Sequence, residues 1–234
     1  MIVSASSIPH IITVLPGPGD SPLVSPTYRT SMGKKTSMTL NDIPKEFFTN
    51  FHNVLDDVCG KGTWFVAGGF VRDYLLGKPQ SDLDVFVGPV DGITTSLLLS
   101  VLNSHTKSTA HSQWLAKFDV DNLYEYETHS KRIKCVLDHS RYKIQVIVLD
   151  HYINGTVKGI DNYVRNYFDC TLSMCWWSPV TGIGTVLSLC DSNLCFAEDA
   201  HNKILRFKKT ATQKYMNKII YKYKGYKLAV IPYE

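Results

Sequence analysis

The sequence predicts a mixed α/β (α+β) domain, a small mixed β-sheet flanked by helices with a helical C-terminal extension. Three features predict it. "TWFVAG" and "LDVFVG" are short apolar runs rich in β-formers, separated by a glycine pair and about two turns of helical pattern. "RIKCVLDH" and "YKIQVIVLD" read as two further strands joined by a polar turn around Ser140. Residues 41–58 place Phe47, Phe48, Phe51, Val54, Leu55 and Val58 at helical spacing. Strand, tight turn, helix, strand and return hairpin together suggest a sheet with helices on one side.

Taken in order, residues 1–40 are rich in Ser, Thr, Pro and Gly and are expected to be a flexible or disordered segment. The helix of 41–58 has Asn41 or Asp42 as its cap candidate, Pro44 in its first turn, and Gly60 and Gly62 to end it. "TWFVAG" is a buried strand, Gly68 and Gly69 its turn, and "FVRDYLLG" a short helix stopped by Gly77 and Pro79. After the strand "LDVFVG" comes a helix over "GITTSLLLSVLN", then the hairpin. "DNYVRNYF" suggests a helix and "CTLSMCWW" a strand, while "DAHNKILRF" and "TATQKYMNKIIYKYKGY" read as helical. The expected organisation is therefore a flexible segment over 1–40, a head domain over 41–208 and a basic extension over 209–234.

The 234 residues are 44% hydrophobic and 20% charged, which supplies a sizeable core and excludes disorder of the whole chain. Net charge is only +4, but from His201 onward nine basic residues face a single acid, Glu234. That run fits either a polyanion partner or a solvated basic face. The six cysteines show no zinc spacing and are expected to be reduced thiols, and the histidines show no ligand spacing. No run has the length of a membrane span, and the N-terminus lacks the basic start of a signal peptide. A soluble cytoplasmic protein with no membrane partner is expected.

The chemistry centres on "GGFVRDYLLGKPQSDLDVFV", Gly68 to Val87. Residues i and i+2 of a strand point to one face, so Asp82 and Asp84 stand about 7 Å apart on the same side. Two such carboxylates repel unless a cation separates them, and Mg²⁺ or Mn²⁺ held this way suits phosphoryl or nucleotidyl transfer. The alternative is a polar strand end with its acids in water. A glycine turn before a helix lets backbone N–H groups approach a phosphate, with Arg72 in reach of a triphosphate. Alternatively the turn serves helix packing. Asp73 is expected to cap or to pair with Arg72.

Together these residues resemble the head domain of the polymerase-β-type nucleotidyltransferases, and more narrowly the class II CCA-adding enzymes and bacterial poly(A) polymerases. That group carries GG-x-VRD-x-LLG followed by a D-x-D strand, matched here by Gly68, Gly69, Val71, Arg72, Asp73, Leu75, Leu76, Gly77, Asp82 and Asp84. The resemblance implies the nucleotidyltransferase fold, a nucleoside triphosphate substrate, Asp82 and Asp84 as catalytic metal ligands, and Gly68, Gly69 and Arg72 as nucleotide-binding residues. A weaker match is "RNYFDCTLSMCWW", similar to an Arg-Arg-Asp-Phe-Thr block, which implies Arg165 and Asp169 as contacts to the nucleotide, with Thr171 beside them. "DAHNKILRF" is similar to the helical close of the head domain.

The resemblance spans about residues 45–208 and has three departures. Gln145 stands where many relatives carry a third carboxylate, and an amide is a poorer Mg²⁺ ligand. CCA-adding enzymes continue into long helical neck, body and tail domains, whereas the 234 residues leave one or two helices after the head, so a complete CCA-adding enzyme is not expected. The Arg-Arg-Asp block is degenerate. A small head of this kind is similar to nucleotidyltransferase-like proteins of viruses, phages in particular, which would place it in the host cytoplasm. The expected function is metal-dependent transfer of a nucleoside monophosphate to an acceptor hydroxyl, on RNA such as a tRNA 3′ end or on a protein. The alternative is a nucleotide- or RNA-binding module that kept the fold and lost the chemistry. Tyr215, Tyr221, Tyr223 and Tyr226 either stack on bases or pack on the domain.

Overall fold

The computed structural model describes residues 45–80, 82–88, 95–106, 113–118, 132–186 and 196–231. The expected flexible segment 1–40 lies outside these residues, as do Cys190 and Cys195. Six α-helices are described: α1 (Lys45–Cys59), α2 (Gly69–Leu75), α3 (Thr95–His105), α4 (Val157–Tyr167), α5 (Phe196–Asn202) and α6 (Gln213–Lys222). The strands are β1 (Trp64–Ala67), β2 (Leu83–Val87), β3 (Trp114–Lys117), β4 (Ile133–His139), β5 (Ile144–Leu149), β6 (Cys175–Ser178), β7 (Gly182–Thr185), β8 (Ile204–Phe207) and β9 (Lys227–Val230). A 3₁₀ turn, Thr171–Ser173, precedes β6.

Seven strands form one mixed sheet in the order β3-β4-β5-β2-β1-β6-β7. β2 and β5 run parallel, with Asp84 beside Gln145, and the other neighbours are antiparallel. Strand alternation divides the apolar side chains between two cores. Leu83, Val85 and Val87 of β2 and Ile144, Val146 and Val148 of β5 pack with Phe47, Phe51 and Leu55 of α1 and Leu98 and Leu102 of α3. Phe65, Phe86, Ile147 and Leu149 pack with Ile160, Tyr163 and Val164 of α4 on the opposite face. The expectation of helices on one side is thus corrected. Central strands with apolar residues at consecutive positions, as in "WFVA" and "VIVL", need cover on both faces.

The expected turns are present. Gly60 (φ 86°), Gly62 (φ 85°) and Gly77 (φ 62°) take the left-handed conformation that ends α1 and α2. Elsewhere the structure departs from the pattern. "KILRF" is not helical: Lys203, with φ 52°, breaks the chain out of α5, and Leu205 and Phe207 then bury at strand spacing. "CTLS" forms the 3₁₀ turn rather than strand, and the two edge strands β3 and β7 were not anticipated. The C-terminal extension is not helical throughout. After α6 it forms β9, parallel to β8 with Leu228 beside Leu205, and Ile231 N–H donates to Phe207 O at 2.8 Å. No described helix is long and apolar enough to cross a membrane.

His139, at the end of β4, sits in an aromatic cage. It stacks on Tyr142 (4.7 Å between ring centres) and meets Trp114 and Phe47 edge-on at 5.0 and 5.3 Å. Its Nδ1 accepts from the Tyr142 N–H at 2.9 Å and the Arg141 N–H at 3.3 Å, so the ring is neutral and fixes the β4–β5 turn. Burial pushes its pKa down to about 4, against the opposing charge of Asp138. The unfolded histidine takes up its proton near pH 6.5, so this contribution is whole above that pH and is lost as pH falls toward 4. The expected loss is roughly 3 kcal/mol across that window. Denaturant unfolding from pH 7 to pH 4 is expected to show it in the wild type and to show a flatter profile in His139→Phe; equal slopes would contradict the assignment.

Candidate functional site

Asp82 and Asp84 share the face of Phe86, the face α4 covers. That cover stops short of the N-terminal ends of β2 and β5, where the sheet opens into a cleft of about 720 Å³. Gly68, Gly69, Arg72, Asp82, Asp84 and Asp169 all line it, with Gln145, so residues a hundred positions apart in sequence meet in one place. Arg165 does not line it. Its guanidinium pairs with Asp161 one turn back on α4, at 3.0 Å.

The acidic pair has an electrostatic problem that a cation answers. Asp82 is exposed, with Lys143 Nζ 3.7 Å from its Oδ1. Asp84 is half-buried, and its pKa is pushed up to about 6, first by burial and then by the Asp82 charge, with Lys218 and Arg72 opposing. A carboxylate whose pKa is raised by burial and by a neighbouring acid at a cleft wall fits a divalent cation. Among the described residues no cluster of three or more His, Cys, Asp or Glu forms a fuller ligand set. Gln145, directly beside Asp84, turns its amide to Asp138: Nε2 donates to Oδ1 at 3.3 Å. Asp138 also lines the cleft and pairs with Lys117 at 2.7 Å. Sequence reasoning missed this carboxylate, which stands one strand further from Asp84 than the position Gln145 fills.

The glycine turn is a matter of shape as well as of access. Gly68 has φ 78° and ψ −129°, a conformation open to glycine almost alone, and a Cβ there would stand 2.9 Å from the Phe168 ring. Its N–H donates to Cys175 O on β6 at 3.1 Å, so this amide holds the turn to the sheet rather than facing the cleft. Arg72 is 3% exposed. Its Nε donates to Asp73 Oδ1 at 3.2 Å and to the Tyr223 hydroxyl at 2.5 Å, and Nη1 donates to Ser173 Oγ at 3.0 Å. The expected Arg72–Asp73 pair is therefore present.

Asp169 is buried, with Thr210 Oγ1 donating to its Oδ1 at 3.2 Å. Thr171 lies behind the cleft and donates to the buried Asp199, which pairs with Arg206 at 3.1 Å. Lys218 and Lys222 enter the lining from α6, and Lys143 from the β4–β5 turn. The i, i+4 spacing of the α6 lysines was the available signal for a shared face. Tyr223 is 1% exposed and Tyr215 half-buried, so these two pack on the domain, whereas Tyr221 stands in solvent.

Residues 64–154 match the family model of the poly(A) polymerase head domain, a stretch that holds the glycine pair, Arg72, both acids and Gln145 and ends before Asp169. Over that stretch the chain is similar to the poly(A) polymerase head domain. Among solved structures it is similar to the Bacillus stearothermophilus CCA-adding enzyme in complex with CTP, at 13% identity over 78% of this chain and 41% of that one, with a TM-score of 0.39. It is also similar to the Thermotoga maritima CCA-adding enzyme complexed with tRNA, at 14% identity, 76% and 38% coverage and a TM-score of 0.39. A tRNA-processing enzyme in an apo form is similar at 15% identity, 77% and 44% coverage and a TM-score of 0.39. The chain spans about two fifths of the length of these structures. No curated protein matches its sequence.

Gly68→Ala is expected to destabilise the fold by about 1–3 kcal/mol, from backbone strain plus the Phe168 contact. Urea unfolding of Gly68→Ala and of Gly68→Ala/Phe168→Ala separates the two. The second change should relieve the contact and leave the strain, and a Gly68→Ala protein as stable as wild type would sink the account.

Proposed function

We propose that this protein is a metal-dependent nucleotidyltransferase, transferring a nucleoside monophosphate from a nucleoside triphosphate to a hydroxyl of RNA, such as a tRNA 3′ end. One observation carries the reading: Asp82 and Asp84 line the same cleft as the glycine turn and Arg72. The Arg72 guanidinium and the ammonium groups of Lys218 and Lys222 surround a triphosphate with positive charge. Asp169, which lines the cleft, orients the nucleotide in this reading. The acceptor oxygen bonds to the α-phosphorus, the bond from that phosphorus to the bridging oxygen breaks, pyrophosphate departs, and the hydroxyl proton passes to solvent. Mg²⁺ or Mn²⁺ held by Asp82 and Asp84 would supply charge neutralisation and a more acidic acceptor hydroxyl. Little else is required of the protein beyond positioning. Lysines on α6 and the β4–β5 turn flank the cleft from two sides, which favours a polyanionic acceptor.

A second reading, a binding module without turnover, is favoured by one observation: the residue beside Asp84 is an amide. Incubation with each labelled NTP, Mg²⁺ or Mn²⁺ and total tRNA distinguishes the two. Label is expected in RNA with the wild type and at background with Asp82→Ala/Asp84→Ala. Transfer surviving in the double variant would remove the metal-ligand assignment, and NTP binding without transfer would establish the module. Lys218→Ala is expected to weaken single-stranded RNA binding and to lower the salt-dependence slope by about 0.7, measured by titration at several salt concentrations.

A further inference from the structure

Arg72 is held on two of its three nitrogens. Nε is taken by Asp73 and Tyr223, and Nη1 by Ser173. Nη2 makes no hydrogen bond to the described residues and lies toward the glycine turn, 3.4 Å from where a Cβ on Gly69 would stand. The guanidinium is thus oriented so that one N–H pair remains for a ligand at the turn.

The groups that set this orientation come from elsewhere in the chain. Tyr223 closes α6, 151 positions after Arg72, and is 1% exposed. Its hydroxyl accepts from Arg72 Nε and donates to Asp73 Oδ1, and its ring lies against the guanidinium carbon at 4.9 Å. Burial pushes the Tyr223 hydroxyl well above the usual tyrosine range, so it keeps its proton to donate. Ser173 Oγ, the second anchor, is shared with Tyr215 Oη of the same helix at 3.1 Å. Both anchors therefore depend on α6.

We infer that Tyr223 and Ser173 are positioning residues that aim Arg72 Nη2 at the triphosphate, so that the C-terminal segment is part of the nucleotide site and not an appendage to it. This inference rests on the nucleotide reading proposed above. It names a coupling which that reading does not contain: residues of the last helix set triphosphate affinity through Arg72 without touching the nucleotide.

The test uses the full chain, Tyr223→Phe, which keeps the ring and removes the hydroxyl, and Ser173→Ala, which releases the other anchor and leaves the residues of α6 unchanged, at the cost of one contact to Tyr215. Probes are inorganic tripolyphosphate, each of the four NTPs and each nucleoside monophosphate, all with Mg²⁺, titrated by calorimetry. Each variant is expected to bind tripolyphosphate and NTPs about tenfold more weakly. The loss should be equal for all four bases, with monophosphate affinity changed little; the unfolding midpoint should fall in Tyr223→Phe, which removes a partner of the buried Asp73 carboxylate, and change less in Ser173→Ala. A merely structural role would weaken monophosphate and triphosphate alike, and that result overturns the inference. So does wild-type tripolyphosphate affinity in both variants; should Tyr223→Phe not fold, Ser173→Ala alone decides. A wild-type protein that binds none of the probes overturns the nucleotide reading and the inference together. Wild-type NTP binding with unaffected variants overturns the inference alone.

Discussion

The carboxylate of Asp73 is fully buried, and the arrangement of the cleft depends on how its charge is met. Oδ1 takes Arg72 Nε and the Tyr223 hydroxyl, and Oδ2 takes Lys222 Nζ at 2.5 Å. Lys78 adds its ammonium over the Tyr223 ring at 3.9 Å. A charge taken this far out of water is tolerated only when its partners are all in place. Those partners come from α2 and from the end of α6, so a single buried acid ties the glycine motif to the C-terminal helix. Apolar contact would hold α6 as well, since Ile219 and Tyr223 already bury there. What the ion network adds is direction. A guanidinium fixed through Nε and Nη1 has one orientation, whereas a greasy interface would tolerate several.

The second constraint is the period of two along β2. Leu83, Val85 and Val87 must face α1 and α3, which forces Asp82, Asp84 and Phe86 to the other side. Phe86 is roofed by α4, and the two acids lie beyond the roof. A one-residue slip of β2 against β5 would bury both carboxylates among α1 and α3, so the core that fixes the register also fixes the site. The cross-strand row Asp84, Gln145, Asp138 follows from the same registers.

This explains what was legible in the sequence. The glycine pair, short helix and acidic strand lie within twenty residues, and their chemistry is local: a positive φ at Gly68, a period of two at Asp82 and Asp84. The placement of Asp169 in the cleft followed from a resemblance, and the structure brings it there. Arg165, read from the same degenerate block, pairs with Asp161 instead, because on α4 an acid one turn back is its nearest partner. Asp138, Ser173 and Tyr223 carried no local signal. Asp138 reaches the cleft through antiparallel pairing of β4 with β5, and Tyr223 through packing across 150 positions. Strand β8 was hidden because "NKILRF" satisfies helical and strand periods alike, and its pairing with β9 decides between them.

Asp84 shows where local rules yield. Burial beside Asp82 raises its pKa to about 6, so above that pH the ionised pair opposes folding of this end of the sheet. A neutral residue at 84 would serve the fold better, and β2 has no structural need of an acid on that face. The same holds at Gly68, whose backbone is costly for any other residue and whose N–H is spent on β6. Two positions that stability alone would not choose, facing one cleft beside an arginine aimed by its own buried network, are the pattern expected where binding of an anion and its cations has shaped a site. Gln145 works the other way, since an amide bonded to Asp138 lowers the charge that the cleft wall must carry. The balance of charge in the cleft lining therefore rests on Asp82, Asp84, Asp138 and Asp169 against Arg72, Arg141, Lys143, Lys218 and Lys222, a near-neutral set in which acids and bases face one space.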